Sequence, residues 1–313
     1  MEWGYLLILF NSVLLCAMSA ARKEYQRKVD ATLKSTLVFM GVSSLFVCLI
    51  GLIYCFSTDF ALVRCADGFV VGLGVLFAFI LTINTCLCIF GAKYGSLAVI
   101  TMFATLGTLV ISTVYGLITD PIKNQLNAFN IVGLCLAVII IALSFLAEKL
   151  KGGQAEQIEQ KKSKIFIIIC LAVFLFNGSA LSVYSLFTSN RAEYGGFNFI
   201  FLYLFFCVLL CALSIGLFFI LDKKNGKEFE VKQYIKGKPL VCSLIYGVVF
   251  FLAEFCALTT TSLLPIVVQA PLSFAMNVII VAAVDYLIYK QKLTKIQLLQ
   301  IGLAILSGVC FAL

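Results

Sequence analysis

Histidine is absent from this chain, which removes the side chain most often used as a general base and as a metal ligand. Charged residues make up only 12% of it, about half the share of an ordinary soluble domain, so a water-exposed globular surface is excluded. With four prolines and no polar stretch longer than about 17 residues, there is no room for a catalytic domain outside the apolar segments. The 13 cysteines form no Cys-x-x-Cys pair. Cys86 with Cys88 and Cys207 with Cys211 are the closest, and in apolar runs such residues read as small buried hydrophobes. No metal or cofactor is therefore expected. A GxxxxGK[ST] phosphate loop is also missing, and GLGVLFA at 72–78 opens no strand-turn-helix unit. Energy for any transport then comes from gradients or exchange.

What the chain does have is apolar length. Hydrophobic residues account for 62% of it and the mean hydropathy is +1.09. Runs long enough to cross roughly 30 Å of hydrocarbon recur along it. Blocks such as IFIIICLAVFLF lack the strict alternation of a membrane β-barrel. The pattern predicts an all-α integral membrane protein with ten transmembrane helices, at 3–20, 34–56, 68–90, 95–118, 128–147, 164–188, 197–221, 239–259, 263–287 and 296–312. The first run begins with Glu2 and its positive charges follow it, the reverse of a signal peptide, so it is read as a retained span with Trp3 and Tyr5 as interfacial anchors.

The 23 Lys and Arg residues are unevenly placed. The connections after odd-numbered spans carry all but Arg64, Lys123 and Arg191. The positive-inside bias then sets both termini outside the cytoplasm, in the plasma membrane. The net charge of +8 follows from basic segments lying against anionic membrane lipids, and no nucleic-acid partner is needed to explain it.

EKLKGGQAEQIEQKKSK, at 148–164, is the most linker-like stretch. It separates a first five-helix repeat (1–150) from a second (164–313) across a cytoplasmic linker at 151–163. Both halves close alike, with FNIVGLCLAVIIIAL at 129–143 and LLQIGLAILSGVCFAL at 298–313. Five helices per half forces opposite membrane orientations, the inverted-repeat arrangement that underlies alternating access.

Thr259, Thr260, Thr261 and Ser262, then Pro265, Lys292-Leu293-Thr294, Gln297 and Gln300-Ile301-Gly302 resemble the drug/metabolite transporter superfamily, in particular its ten-helix EamA-like members. In those proteins a small-residue and Thr/Ser stretch and an early Pro are followed by a loop near Gly-Glu-x-Leu-Thr. Here Gln291 replaces the loop Glu, and two extra residues precede Gly302. The resemblance implies a secondary carrier of small organic solutes, with a central cavity lined by spans 1, 3, 4, 6, 8 and 9. It also implies that spans 5 and 10 pack or form dimers, giving a monomer or homodimer.

Glu254 is the sharpest single feature, a carboxylate about five residues inside the outer end of span 239–259. Burial near mid-membrane is costly unless the group faces protein or water. It reads as a cavity group that binds a cationic or zwitterionic solute, or that titrates to couple proton movement. The structural alternative is an ion pair with Arg191. Asn84, Asn177, Asn277 and Gln269 are further substrate-binding candidates, or else interhelical hydrogen-bonding amides. Tyr184 and Tyr246, with Phe187 and Phe250, form either a packed apolar wall or a cation-π cage. Pro265 and Pro271, placed in one helix, are candidate hinges. Glycines 68, 72, 74, 302 and 308 suggest close helix packing. No deeply placed Lys or Arg is evident.

These features point to a secondary transporter, not an enzyme, for an amino acid or amine-type solute. Another metabolite or drug class, an intramembrane enzyme, a scaffold and an ion channel are the competing readings.

Overall fold

The computed structural model describes residues 2–30, 32–57, 67–91, 94, 97–121, 127–151, 157–225, 231–287 and 295–312. Its elements are α1 (Glu2–Gln26), α2 (Leu33–Ser57), α3 (Gly68–Gly91), α4 (Leu97–Thr119), α5 (Ala128–Lys151), α6 (Gln157–Arg191), a 3-10 turn (Ala192–Tyr194), α7 (Gly196–Lys224), the short α8 (Lys232–Ile235), α9 (Lys238–Leu263), α10 (Ile266–Leu287) and α11 (Lys295–Ala312). No strand occurs among the described residues.

Six stretches among them are long and apolar enough to cross a bilayer: Trp3–Gln26, Leu33–Gly51, Gly68–Gly91, Ile165–Tyr194, Gly196–Lys224 and Lys238–Leu263. Phe103–Thr119, Ala128–Ile140 and Ile266–Asn277 are shorter apolar helices. Large apolar side chains such as Ile53, Leu213 and Ile118 point outward. Water would penalise that surface and hydrocarbon does not. The chain is an all-helical, multi-pass membrane protein.

Six of the ten predicted spans fall on these six long helices and the other four on α4, α5, α10 and α11, and the ends differ in ways that matter. α1 does not stop at 20; it runs to Gln26 and carries Arg22 and Lys23 within it. The 151–163 linker is helical from Gln157 onward. Pro265 is not inside a helix: the chain breaks between α9 and α10, with Leu264 extended at φ −124°, ψ 145°, as expected for a residue preceding proline. Pro271 alone lies within α10. Gln291 and Lys292-Leu293-Thr294 fall outside the described residues, as do Arg64 and Lys123.

At the α9 break the Thr/Ser stretch satisfies itself. Thr259, Thr260 and Thr261 donate to the carbonyls of Phe255, Cys256 and Ala257 at 2.7–2.8 Å. Ser262 donates to the Thr259 carbonyl at 2.7 Å. Hydroxyls in apolar surroundings gain most from such local partners.

Other ends are capped by side chains. Asp67 accepts from the Val70 amide at 2.8 Å at the start of α3, as an N-cap does, and Asn127 does the same for α5 through the Asn130 amide. Arg191 pairs with Asp67 at 2.7 Å and not with Glu254, so the ion-pair alternative for Glu254 is set aside. The Val70 amide, followed by Arg191, holds the Asp67 carboxyl below its ordinary range. The resulting stabilisation is present above the unfolded pKa and fades as pH falls through the lower folded value.

The main core joins α1, α2, α3, α6, α7, α9 and α10. Its centre is aromatic: Phe77 stacks on Tyr184 with centroids 4.6 Å apart, and Phe187 stacks on Phe199 at 4.1 Å. α5 and α11 pack on one another, with Ser307 donating to the Gly133 carbonyl at 2.9 Å.

Of the glycines the sequence suggested, Gly74 does make a close approach, since a Cβ there would sit 3.2 Å from the Leu202 side chain, but the tightest crossing lies elsewhere. Gly68, Gly72 and Gly302 face open space. Instead α4 and α6 meet at Gly107 and Gly178, where a Cβ on Gly107 would sit 1.9 Å from the Phe174 carbonyl oxygen. Backbone cannot yield as a flexible side chain can, so Gly107→Leu is expected to cost more than the roughly 1–3 kcal/mol of ordinary overpacking. A clear drop in the melting temperature of the purified protein checks this; an unchanged value would refute the tight crossing.

Candidate functional site

The polar side chains that apolar helices can least accommodate converge in the middle of the bundle. Asn177 of α6 donates through its amide nitrogen to the Ala104 carbonyl and to Thr108 Oγ1, both at 2.8 Å. Its oxygen accepts from Asn84 Nδ2 of α3 at 3.0 Å. One side chain thereby ties α3, α4 and α6 together, which matches the strong need for interhelical partners in a dry interior.

Glu254 of α9 accepts the hydroxyl of Tyr184. The Tyr184 oxygen also lies 3.0 Å from the Tyr203 hydroxyl. Tyr184 has one proton, which it gives to the carboxylate, so Tyr203 donates to Tyr184. The series Tyr203, Tyr184, Glu254 fixes the carboxylate from the α6 and α7 side. Its other face is turned to two adjoining cavities.

Each cavity measures about 130 Å³. The first is lined by Asn11 of α1, Thr108, Tyr184, Gln269 and Ser273, toward the N-terminal end of α1. The second is lined by Ser19 and Arg22 of α1, Asn84, Cys88 and Thr101, toward the other end. Asn177, Glu254, Asn277, Leu15 and Thr105 line both. A polar layer thus separates two chambers, one on each side of the bundle centre.

Two buried acceptors on the first chamber have no hydrogen-bond partner, Asn11 Oδ1 and Gln269 Oε1. The Gln269 nitrogen is engaged by the Ala257 carbonyl at 3.1 Å. Such acceptors are matched by water or by a ligand's N–H groups.

In the second chamber Arg22 reverses an expectation, because a cation does lie deep in the fold. Arg22 donates to the Tyr246 hydroxyl at 2.6 Å, and its guanidinium stands 5.0 Å from the centre of the same ring, a cation-π arrangement. Its Nε is buried without a partner. Tyr246 is fully buried, between Phe39 and Phe250.

Of the sequence candidates, Asn84, Asn177, Tyr184, Glu254, Gln269 and Asn277 all line this pair of chambers, whereas Tyr246 lines neither and instead supports Arg22. Tyr184 belongs to a packed aromatic cluster as well as to the cavity wall. Pro271 is in α10 between Gln269 and Asn277. Arg22, Asn11, Thr105 and Thr108 went unnoticed in the sequence. Arg22 was legible in one respect: it follows the cavity residues Leu15, Met18 and Ser19 at spacings of seven, four and three, which share one helix face. Among the described residues no three His, Cys, Asp or Glu side chains converge as metal ligands would.

No protein-family model matches the chain, and no curated protein matches it. Solved structures do match. One, described only as "Crystal structure of protein", superposes with a TM-score of 0.66 over 98% of this chain and 96% of its own length, at 14% identity. The likeness is one of fold, and it runs end to end.

Proposed function

We propose that this protein is a secondary transporter of a small zwitterionic metabolite, an amino acid above all, working by alternating access in the plasma membrane. The carrying observation is that a carboxylate, Glu254, and a guanidinium, Arg22, line one central cavity. In that cavity a substrate ammonium has Glu254 as its partner and a substrate carboxylate has Arg22, with Asn84, Asn177 and Asn277 on the same wall. Arg22 weighs against a simple amine or quaternary ammonium ion, for which a buried cation is a repulsive neighbour. Glu254 is also the coupling residue in this reading, exchanging a proton for substrate.

The ten long helices form two inverted halves, 1–150 and 164–313, with both termini outside the cytoplasm. Support comes from the packing scheme. Exchanging α1 with α6, α2 with α7, α3 with α9, α4 with α10 and α5 with α11 turns the α1–α9 contact into α6–α3, and α2–α9 into α7–α3. The same exchange turns α1–α10 into α6–α4, while α2–α7, α4–α10 and α5–α11 map onto themselves. Such an exchange is what a pseudo-two-fold axis in the membrane plane produces. The break before Pro265 and the proline-interrupted α10 are the segments suited to flex during rocking.

The test is competition binding to the purified protein with neutral amino acids, the matching decarboxylated amines and dicarboxylates. Neutral amino acids are expected to compete at least tenfold better than either single-charge class. Equal competition by the amines would discard the zwitterion reading, and binding of none would favour a scaffold.

A further inference from the structure

Away from the central chambers, a third cavity of about 460 Å³ opens on the outer face between α2, α3 and α7. Its wall is almost wholly apolar, formed by residues such as Leu33, Phe79, Phe90, Leu210, Leu217 and Phe218. Along α3 it extends from Phe79 to Phe90, about 16 Å at 1.5 Å per residue. That is close to half of a roughly 30 Å hydrocarbon core. The cavity therefore has the depth of one leaflet, too short for a crossing helix of a partner and suited to an acyl chain.

One end of the groove is charged. Leu33 adjoins Lys34, which bridges to Asp222 of α7 and stands 5.7 Å from the Phe218 ring centre. Lys223 and Lys224 follow in the last turn of α7 and are exposed. With Asp30 also at the start of α2, three lysines stand against two aspartates, and this end keeps a net positive charge. The other end, around Phe79 and Leu210, lies near the middle of α3 and α7 and has no charged lining residue.

We propose that this groove binds an anionic diacyl phospholipid from the leaflet on the side of Lys223 and Lys224, one acyl chain between α2, α3 and α7 and the headgroup phosphate at Lys34, Lys223 and Lys224. The apolar wall alone would accept any acyl chain. The charge at its mouth selects the headgroup, as clustered lysines at a membrane surface do. α2 and α7 pack together at the groove, so on the alternating-access reading proposed above the bound lipid sits against the contact between the two halves.

The test places a tryptophan in the groove by Phe90→Trp in a Trp3→Phe background, with Phe129→Trp on the exposed face of α5 as a reference. The protein is reconstituted in phosphatidylcholine vesicles containing a tenth of brominated phosphatidylglycerol or, separately, brominated phosphatidylcholine. The groove reporter is expected to be quenched several-fold more efficiently by the anionic lipid, and the reference reporter equally by both. Lys223→Gln and Lys224→Gln should each lower the preference, about fivefold per lysine at most. Native mass spectrometry of the unmutated protein should show retained phosphatidylglycerol in preference to phosphatidylcholine. Equal quenching by the two lipids, or the same preference at the reference position, would overturn the proposal.

Discussion

Glu254→Gln is expected to weaken binding of a neutral amino acid by roughly 10- to 150-fold, with the melting temperature little changed. Glutamine keeps the size of the side chain and an oxygen that still accepts the Tyr184 hydroxyl, so the packing of α6, α7 and α9 has no reason to relax. What disappears is the negative charge. A hydrogen bond to a charged group is worth about 1.5–3 kcal/mol, and each 1.4 kcal/mol is tenfold in affinity. The loss should be confined to substrates bearing an ammonium group. If Glu254 is the coupling residue proposed above, transport driven by a pH gradient should also become insensitive to that gradient in this variant. Isotherms for one amino acid across the substitution decide the first point. Unchanged affinity would return Glu254 to a purely structural role as the acceptor of Tyr184.

Much of this site was legible because lipid-facing sequence is so uniform. In a helix that is otherwise leucine, phenylalanine and alanine, Glu254, Asn177, Asn84 and Asn277 stand out, and the cost of a polar group in hydrocarbon leaves the interior as their place. Those four, together with Tyr184 and Gln269, line one pair of chambers. Two kinds of residue were misread. Arg22 follows an apolar run, where a basic residue normally marks the membrane boundary; only the continuation of α1 to Gln26 and its helical phase place it inside. Tyr246 has the composition of a ligand wall, but its ring is covered by Phe39 and Phe250 and its hydroxyl is taken by Arg22. Glycine was the least informative residue. The tight crossing at Gly107 and Gly178 joins helices remote in sequence, and no local spacing distinguishes those two from Gly68 or Gly72, which touch nothing.

Arg22→Gln should produce the complementary loss. Binding of neutral amino acids is expected to fall by roughly 10- to 150-fold, while the decarboxylated amine of the same side chain loses nothing or gains, since a like charge has left the cavity. Arg22→Lys keeps the charge but not the planar fork that meets a carboxylate with two parallel bonds, so it should recover only part of the affinity. Tyr246→Phe removes the hydroxyl that Arg22 donates to at 2.6 Å and leaves the ring beneath the guanidinium. Its effect should be smaller, and it should fall on the amino acid more than on the amine, marking Tyr246 as a positioning residue. The ratio of the two affinities is the informative readout. Simple destabilisation of α1 would lower both together, whereas carboxylate recognition lowers one. Combining Arg22→Gln with Glu254→Gln then separates the charges: if each holds its own end of a zwitterion, the amine should lose affinity only through Glu254. A simple carboxylic acid should lose it only through Arg22.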